Sequence, residues 1–220
     1  MKLLLVGYGK MGRLVDQLAA DEGFEVVGRV DAGRDEWAAA DVVVDFTTAD
    51  ALQENFPRYL EQRVPVVIGT TGWSAQAPAW RAKAAEAHLG VVAAANFSIG
   101  VNLFEMMVTD AARVMAAHPQ YGAWIHELHH AAKRDAPSGT ALVLRDAMIR
   151  GGYRGAIDMS SSRAGMMPGT HTVGFDGTSD TIELTHTARD RRGFASGALL
   201  AAKWIVGREG WYSMADVLRG

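Results

Sequence analysis

Short runs of apolar, β-branched residues alternate with longer segments of helical periodicity through the first half of the chain. The runs lie at Lys2 to Val6, Glu25 to Val30, Asp41 to Phe46, Val64 to Ile68 and Val91 to Ala94. Strands covered on both faces carry uninterrupted Val, Leu and Ile rather than alternating polar residues, so this rhythm predicts βαβ units and a parallel sheet of about five strands. The intervening helices are predicted at Met11 to Glu22, Ala49 to Arg63 and Ala75 to His88. Between Asp31 and Asp41 there is too little chain for a full helix and a further strand, which predicts a trimmed nucleotide-binding fold.

After Ala95 the pattern changes and predicts a domain boundary near Asn96. Gly100 to Ala117 has the period of one long amphipathic helix, with Leu103, Met106, Met107, Ala111, Val114 and Met115 expected on its buried face. Trp124 to His129, a polar loop through Pro137 and a helix over Thr140 to Ile149 follow. Strand-like stretches come at Ile157 to Ser162, Thr170 to Phe175 and Thr181 to Thr187, with a turn at Asp176 to Asp180. Phe194 to Val206 is again helical, and Trp211 to Leu218 is apolar enough to dock. The expected fold class is α/β: a Rossmann-like parallel sheet domain plus a smaller α+β domain with a mainly antiparallel or mixed sheet.

Composition removes several function classes. Over 220 residues, 22 Lys and Arg against 25 Asp and Glu leave a net charge of -3, which excludes a strongly basic nucleic-acid binder. No cysteine is present, so disulfides, thiolate metal sites, iron–sulfur clusters and cysteine nucleophiles are excluded and nothing argues for an oxidising compartment. The opening apolar run is interrupted by Gly7, Gly9 and Lys10, too early for a signal peptide, and no run approaches the roughly 18 apolar residues of a membrane span. These features predict a cytoplasmic protein with neither membrane nor nucleic acid as partner.

Candidate chemistry begins at Gly7-Tyr8-Gly9-Lys10-Met11-Gly12, a G-x-G-x-x-G sequence that follows the first strand and opens the first helix. In that context Gly7 permits the tight turn, Gly9 lets the backbone approach a pyrophosphate, and Gly12 allows close strand–helix packing, while the helix N-terminus offers N–H groups to an anion. Asp31 ends the second strand about 20 residues later, where this fold places an acid on the adenosine ribose. An acid there repels a 2'-phosphate and favours NADH, although Arg29 or Arg34 could swing in to tolerate NADPH; a turn or cap residue is the plain alternative for Asp31. Asp45 to Thr48 and Gly69-Thr70-Thr71-Gly72 also fall at strand carboxyl ends, where open α/β sheets bind ligands, and each could equally be a helix cap.

The densest polar cluster runs from His126 through Lys133 and on to Thr140. Two chemistries compete for it. His126-Glu127-Leu128-His129-His130 satisfies H-E-x-x-H, a zinc motif in which both histidines share a helix face and the glutamate is the base; its third ligand would have to come from distant residues such as His171 or Glu183. Alternatively, His129, His130 and Lys133 form a cationic cluster beside Ser138-Gly139-Thr140, which opens the next helix and suits a dicarboxylate, one histidine donating a proton. Surface histidines and a solvated lysine are the bland alternative.

At this point the chain resembles the 4-hydroxy-tetrahydrodipicolinate reductase family, also called dihydrodipicolinate reductase. The resemblance runs nearly end to end, through Gly7 to Gly12, Val44 to Thr47, Gly69 to Gly72, Ala94 to Asn102, His129-His130 with Lys133, Asp135 to Ala141, Arg163 to Gly165, Gly169 to His171 and Phe194 to Ala198. It implies NAD(P)H-dependent reduction of a cyclic dicarboxylate in the diaminopimelate route to lysine. His129 matches the proton donor and Lys133 the catalytic lysine, with His130, Gly139 and Thr140, beside Ser138, on the substrate carboxylate. Gly69, Thr70, Thr71, Ala94, Ala95, Asn96 and Phe97 match the cofactor side, near the nicotinamide.

The resemblance further implies a dinucleotide-binding domain of residues 1–96 and 194–220, a substrate and oligomerisation domain of 97–193, hinges near Asn96 and Gly193, and a homotetramer. Three departures stand out: the short Asp31 to Asp41 connection, Ala32 where many members carry an arginine for the 2'-phosphate, and alanines between His130 and Lys133. The expected cofactor is therefore NADH in preference to NADPH, with no metal. The rivals are a zinc hydrolase on His126, Glu127 and His130, and a nucleotide-sensing protein without chemistry.

Overall fold

A computed structural model describes residues 1–220, with the side chain of Arg34 outside the described set. The first part of the chain forms β1 (Lys2–Val6), α1 (Lys10–Ala19), β2 (Glu25–Asp31), β3 (Arg34–Asp35), β4 (Val42–Asp45), α2 (Ala49–Gln62), β5 (Val66–Ile68), α3 (Ala77–Glu86) and β6 (Gly90–Ala93). The middle forms α4 (Ile99–Met115), β7 (Gly122–His129), α5 (Gly139–Arg150), β8 (Ile157–Arg163), β9 (Thr170–Asp176) and β10 (Thr181–Thr187). The chain closes with α6 (Arg192–Ile205), β11 (Gly210–Tyr212) and α7 (Met214–Arg219). Two compact units result, residues 1–99 with 192–220, and residues 100–191.

The sheet of the first unit has the order β11-β6-β5-β4-β1-β2-β3, parallel except where the two-residue β3 turns back on β2. Five of these strands lie where the apolar runs predict them. The others are β3, which fits into the shortened connection without a helix, and β11, formed by the terminal apolar segment beside β6. Alternate residues of the runs serve opposite faces: Leu3, Leu5, Val44, Val67 and Val92 pack with α1 and α6 residues, while Leu4, Val6, Val43, Val66 and Ile68 pack with α2 and α3 residues. The continuous hydrophobic reading of these strands is thus two interleaved cores.

The second unit is a four-stranded mixed sheet of order β10-β9-β7-β8, with β7 and β8 parallel and the other pairs antiparallel. One face carries Ala123, Ile125, Val173 and Phe175 against α4 and α5. The other carries Trp124, His126, Thr172 and Thr185 and remains partly exposed.

The face assigned to α4 from its periodicity holds at Met115 and is corrected at Leu103, Met107 and Val114. Val101, Phe104, Val108, Ala112 and Met115 are buried, while Leu103, Met107 and Val114 are 40%, 52% and 64% exposed. The helix carries two apolar stripes, and close packing selects the one with the small Ala112. Gly151 approaches there so tightly that a Cβ on it would lie 2.9 Å from the Ala112 Cβ and 2.5 Å from the Thr109 carbonyl oxygen.

Helix α6 depends on a similar approach. A Cβ on Gly197 would stand 1.8 Å from the Phe97 carbonyl oxygen. Glycine to alanine inside a helix normally stabilises by roughly 0.5–1 kcal/mol. Gly197→Ala is expected to reverse that sign and destabilise by about 1–3 kcal/mol, read as a lowered urea midpoint.

Candidate active site

The glycine loop of the first unit is built as its spacing demands. Gly7 has φ +90, and a Cβ there would lie 2.4 Å from the Phe46 carbonyl oxygen. A Cβ on Gly12 would lie 2.1 Å from the Gly7 carbonyl oxygen, so strand exit and helix entry are in contact. Gly9 is the N-cap of α1, supplies no side-chain cap, and would place a Cβ where nothing lies within 4 Å. Exposed Lys10 and half-buried Met11 begin the helix. An open space before an uncapped helix N-terminus with no acidic residue in its first turn fits a pyrophosphate.

Asp31 stands exposed at the end of β2, with its Oδ1 accepting the Ala32 N–H at 3.0 Å. Arg29 makes two hydrogen bonds to Asp16, at 2.8 and 2.7 Å, and Asp16 also accepts the Tyr8 hydroxyl. The side chain of Arg34, the other arginine considered for a 2'-phosphate, lies outside the described residues.

The loops after β4 and β5 are joined by a fully buried carboxylate. Asp45 Oδ1 accepts the Thr47 N–H, the Thr47 hydroxyl and the Thr70 hydroxyl at 3.0, 2.6 and 2.9 Å, and Oδ2 accepts the Tyr59 hydroxyl at 2.7 Å. Burial and the Asp45 charge push the Tyr59 phenol well above its ordinary range. Thr70 is buried in this network, Thr71 is exposed, and Gly69 admits the Phe46 ring, which a Cβ would meet at 2.0 Å. Thr70, Thr71, Ala94 and Ala95 line a cavity of about 260 Å³ with Trp73 and Trp211. Asn96 accepts the Ser98 N–H at 2.8 Å, and Phe97 is packed in the core.

In the second unit, β7 alternates inward and outward, so Glu127 and His129 continue the buried face of Ala123 and Ile125. Glu127 is 0% exposed. Its Oε1 accepts the Ser138 N–H at 2.9 Å, the Ser161 hydroxyl at 2.7 Å and Arg163 Nη2 at 2.7 Å. Burial alone would raise this acid; hydrogen bonds from Ser138, Arg163 and Ser161 outweigh it and bring the carboxyl down to about 2. Arg163 also donates to the Asp135 carbonyl oxygen at 2.5 Å, which fastens the loop before α5.

His129 is 8% exposed, with Nδ1 3.3 Å from Glu127 Oε2. Its ring meets that of His171 edge-on at 5.0 Å. Burial lowers the His129 pKa, and the Lys133 and Arg163 charges add to this against the opposing pull of Glu127. His171 falls to about 4, by burial first and then by the neighbouring His129. Lys133 is held 2.8 Å from Asp135, and His130 is half-buried. Ser138 caps α5 and is buried, leaving Gly139 exposed and Thr140 half-exposed at the helix start.

A strand, not a helix, carries His126 to His129. On β7, His126 lies opposite Glu127 and bonds Ser160 at 2.8 Å, so the shared helix face required by H-E-x-x-H does not exist. Glu127, His129 and His171 do bring three metal-type ligand atoms within 4.8 Å of one another. Within that set the Ser138 hydroxyl lies 3.1 Å from His171 Nε2 and Arg163 bonds the other Glu127 oxygen, Oε1, while Oε2 and His129 Nδ1 have no hydrogen-bond partner. In the sequence Glu127 stands out only as a zinc-site base, and His171 as a distant ligand and as part of the Gly169 to His171 stretch of resemblance; the overlooked signal is strand alternation, which makes Glu127 and His129 neighbours on one face.

A Rossmann-type sheet with a glycine-lined helix N-terminus, together with a buried acid–imidazole site beside a second helix N-terminus, defines an oxidoreductase of the dinucleotide-binding class. Comparison with known proteins narrows the class. The families described as dihydrodipicolinate reductase, N-terminus, and dihydrodipicolinate reductase, C-terminus, match residues 1–97 and 100–218. The chain is 38% identical to the 4-hydroxy-tetrahydrodipicolinate reductase of Archaeoglobus fulgidus, covering 96% of each. It is 32% identical to that of Christiangramia forsetii, over 99% of this chain and 98% of the relative. The dipicolinate-bound dihydrodipicolinate reductase of Paenisporosarcina sp. TG-14 shares the fold, with a TM-score of 0.80 and 24% identity over 97% of each chain. The chain belongs to the dihydrodipicolinate reductase family.

The depressed ionisations of His171 and Glu127 set an acid sensitivity. His171 titrates near 4 when folded against 6.5 ordinarily, so the unfolded chain binds the extra proton first and stability, complete above about pH 6.5, is lost as pH falls toward 4. Glu127, at about 2 against 4.5, adds a second loss between those values. Urea unfolding of wild type is expected to weaken across the first window, with His171 contributing on the order of 3 kcal/mol, and His171→Asn to lose that share while the one from His129 remains.

Proposed function

We infer that this chain reduces 4-hydroxy-tetrahydrodipicolinate to tetrahydrodipicolinate at the expense of a reduced nicotinamide dinucleotide, the reduction step of the diaminopimelate route to lysine. The observation that carries the reading is the buried Glu127–His129 pair, with Lys133 on the following loop and the α5 N-terminus at Gly139 and Thr140. Family membership along the whole chain supports it.

In this reading Gly7, Gly9, Lys10, Met11 and Gly12 hold the pyrophosphate, Asp31 the adenosine ribose, and Gly69 to Thr71 with Ala94 to Phe97 the nicotinamide end. When bound, the reduced nicotinamide supplies a hydride. Net, the substrate gains that hydride and one proton and loses water. His129 delivers the proton to the ring carbon, and Lys133 anchors the dianion and assists as acid. The N–H groups at Gly139 and Thr140, with His130, hold a carboxylate; Ser138 serves from below by fixing the loop to Glu127 and His171.

NADH is the preferred cofactor of this proposal. Exposed Asp31 repels a 2'-phosphate, Ala32 contributes no cation, and Arg29 is held by both oxygens of Asp16. We assign the partly exposed sheet face around Trp124, His126, Thr172 and Thr185 to assembly as a homotetramer. A cytoplasmic location accords with a cysteine-free chain in which, among the described residues, no helix is long and apolar enough to cross a membrane.

A coupled assay that follows nicotinamide absorbance tests the reading. His129→Gln is expected to lower kcat by about 10²–10⁴-fold with little change in the dinucleotide KM. Asp31→Ser with Ala32→Arg is expected to move the NADPH to NADH ratio of kcat/KM up by about tenfold. Full turnover without the imidazole would refute the proton-donor assignment.

A further inference from the structure

Glu127 is wholly buried, yet half of its carboxylate is unspoken for. Oε1 takes three donors, whereas neither Oε2 nor His129 Nδ1 has a hydrogen-bond partner, and these two atoms stand 3.3 Å apart. A second imidazole nitrogen, His171 Nε2, lies 3.5 Å from Oε2. Ser138 Oγ, the cap of α5, accepts the Ala141 N–H at 3.2 Å and lies 3.1 Å from His171 Nε2, so that nitrogen already has a polar partner. His129 Nδ1 has none and is the nearer of the two imidazole nitrogens to Oε2.

We propose that Glu127 is a positioning residue for the reductase reaction: by capturing the Nδ1–H of His129 it fixes the imidazole tautomer and orientation that make Nε2 the proton-transferring atom. The proposal rests on His129 being the proton donor. Its ring edge agrees with the assignment. A Cβ on Gly169 would lie 3.1 Å from His129 Nε2 and 3.2 Å from Cδ2, so the Nε2 edge abuts a residue whose φ of +128 and missing side chain leave it room. In the transfer, the proton leaves Nε2 for the substrate carbon while the N–H bonding pair stays on the ring. The Nδ1 proton remains between ring and carboxylate, Glu127 stays ionised, and solvent restores the Nε2 proton. A carboxylate behind an imidazole favours the charged ring, and here it opposes the effects of burial, Lys133 and Arg163, with Asp135 aiding it.

Two measurements test this. In protein labelled with 15N-histidine, long-range proton–nitrogen correlation reports the tautomer directly, the His129 signals being identified by their loss in His129→Gln. Neutral His129 is expected with the proton on Nδ1, the minor form of free histidine; a proton on Nε2 overturns the proposal, and this experiment needs no change at Glu127. In the second, Glu127→Gln is expected to lower kcat by about 10–100-fold with an unchanged dinucleotide KM, and to move the basic limb of the kcat–pH profile to lower pH. The limb moves because Lys133 and Arg163, beside a neutral His171, then face His129 with Asp135 alone to oppose them. A merely structural role would lower stability and leave the limb in place, which also overturns the proposal. The two readings fail separately: full kcat in His129→Gln refutes the proton donor, whereas the tautomer judges the pairing.

Discussion

A carboxylate removed from water survives in ionised form only if its surroundings replace the lost hydration, and the second unit is organised around meeting that demand at Glu127. Three strands and a loop converge on it: β7 supplies the acid, β8 supplies Ser161 and Arg163, β9 supplies His171, and the segment entering α5 supplies Ser138. Removing Arg163 would leave a buried charge uncompensated, the costly way to break such a pair. The same bonds fix the Ser138 backbone, and through it the start of α5, so the order of that helix end and the place of the carboxylate beside His129 have one physical origin. Stability and chemistry are coupled here because they draw on the same four oxygen and nitrogen partners.

The first unit repeats the device with a different acid. Asp45 is sealed at the carboxyl end of β4 and takes hydrogen bonds from Thr47, Thr70 and Tyr59, so two strand-end loops and α2 are locked together beneath the cavity lined by Thr70, Thr71 and Trp73. Open α/β sheets bind ligands at that end, and loops there must keep their shape without regular structure. A buried carboxylate with several donors provides this, since each donor it loses carries a desolvation cost. Thr70 in this setting supports the loop from within, while Thr71 and Gly72 present its surface.

Much of this was legible in the sequence because its physics is local. Apolar runs marked the parallel strands, the glycine spacing marked a turn, an approach and a packing contact, and Ser138 before Gly139 and Thr140 marked a helix start. What was not legible depends on pairing across the chain. Glu127 meets Arg163 only because β7 lies parallel to β8 in register, His129 opposite Arg163, and His171 reaches the cluster only through the antiparallel β7–β9 pair. The α4 error has the same cause: with two apolar stripes on one helix, periodicity cannot choose between them, and the choice fell to the close contact of Ala112 with Gly151. Asp45 stood out only as part of a strand-end loop or cap, and its bond with Tyr59 was missed because a buried acid and a helical tyrosine announce nothing about each other until the sheet is closed.

The discontinuous first unit carries a consequence for biosynthesis. Ala195, Ala198, Leu199 and Ala202 of α6 share a core with Leu3, Leu5, Val44 and Val67, between about 130 and 200 residues earlier in the chain. A ribosome-bound chain must hold one side of its opening sheet without that cover until the last helices emerge, whereas the inserted unit is complete earlier. Synthesis order and completion order are therefore inverted: the unit begun first finishes last, and a half-made chain presents a bare aliphatic surface to chaperones.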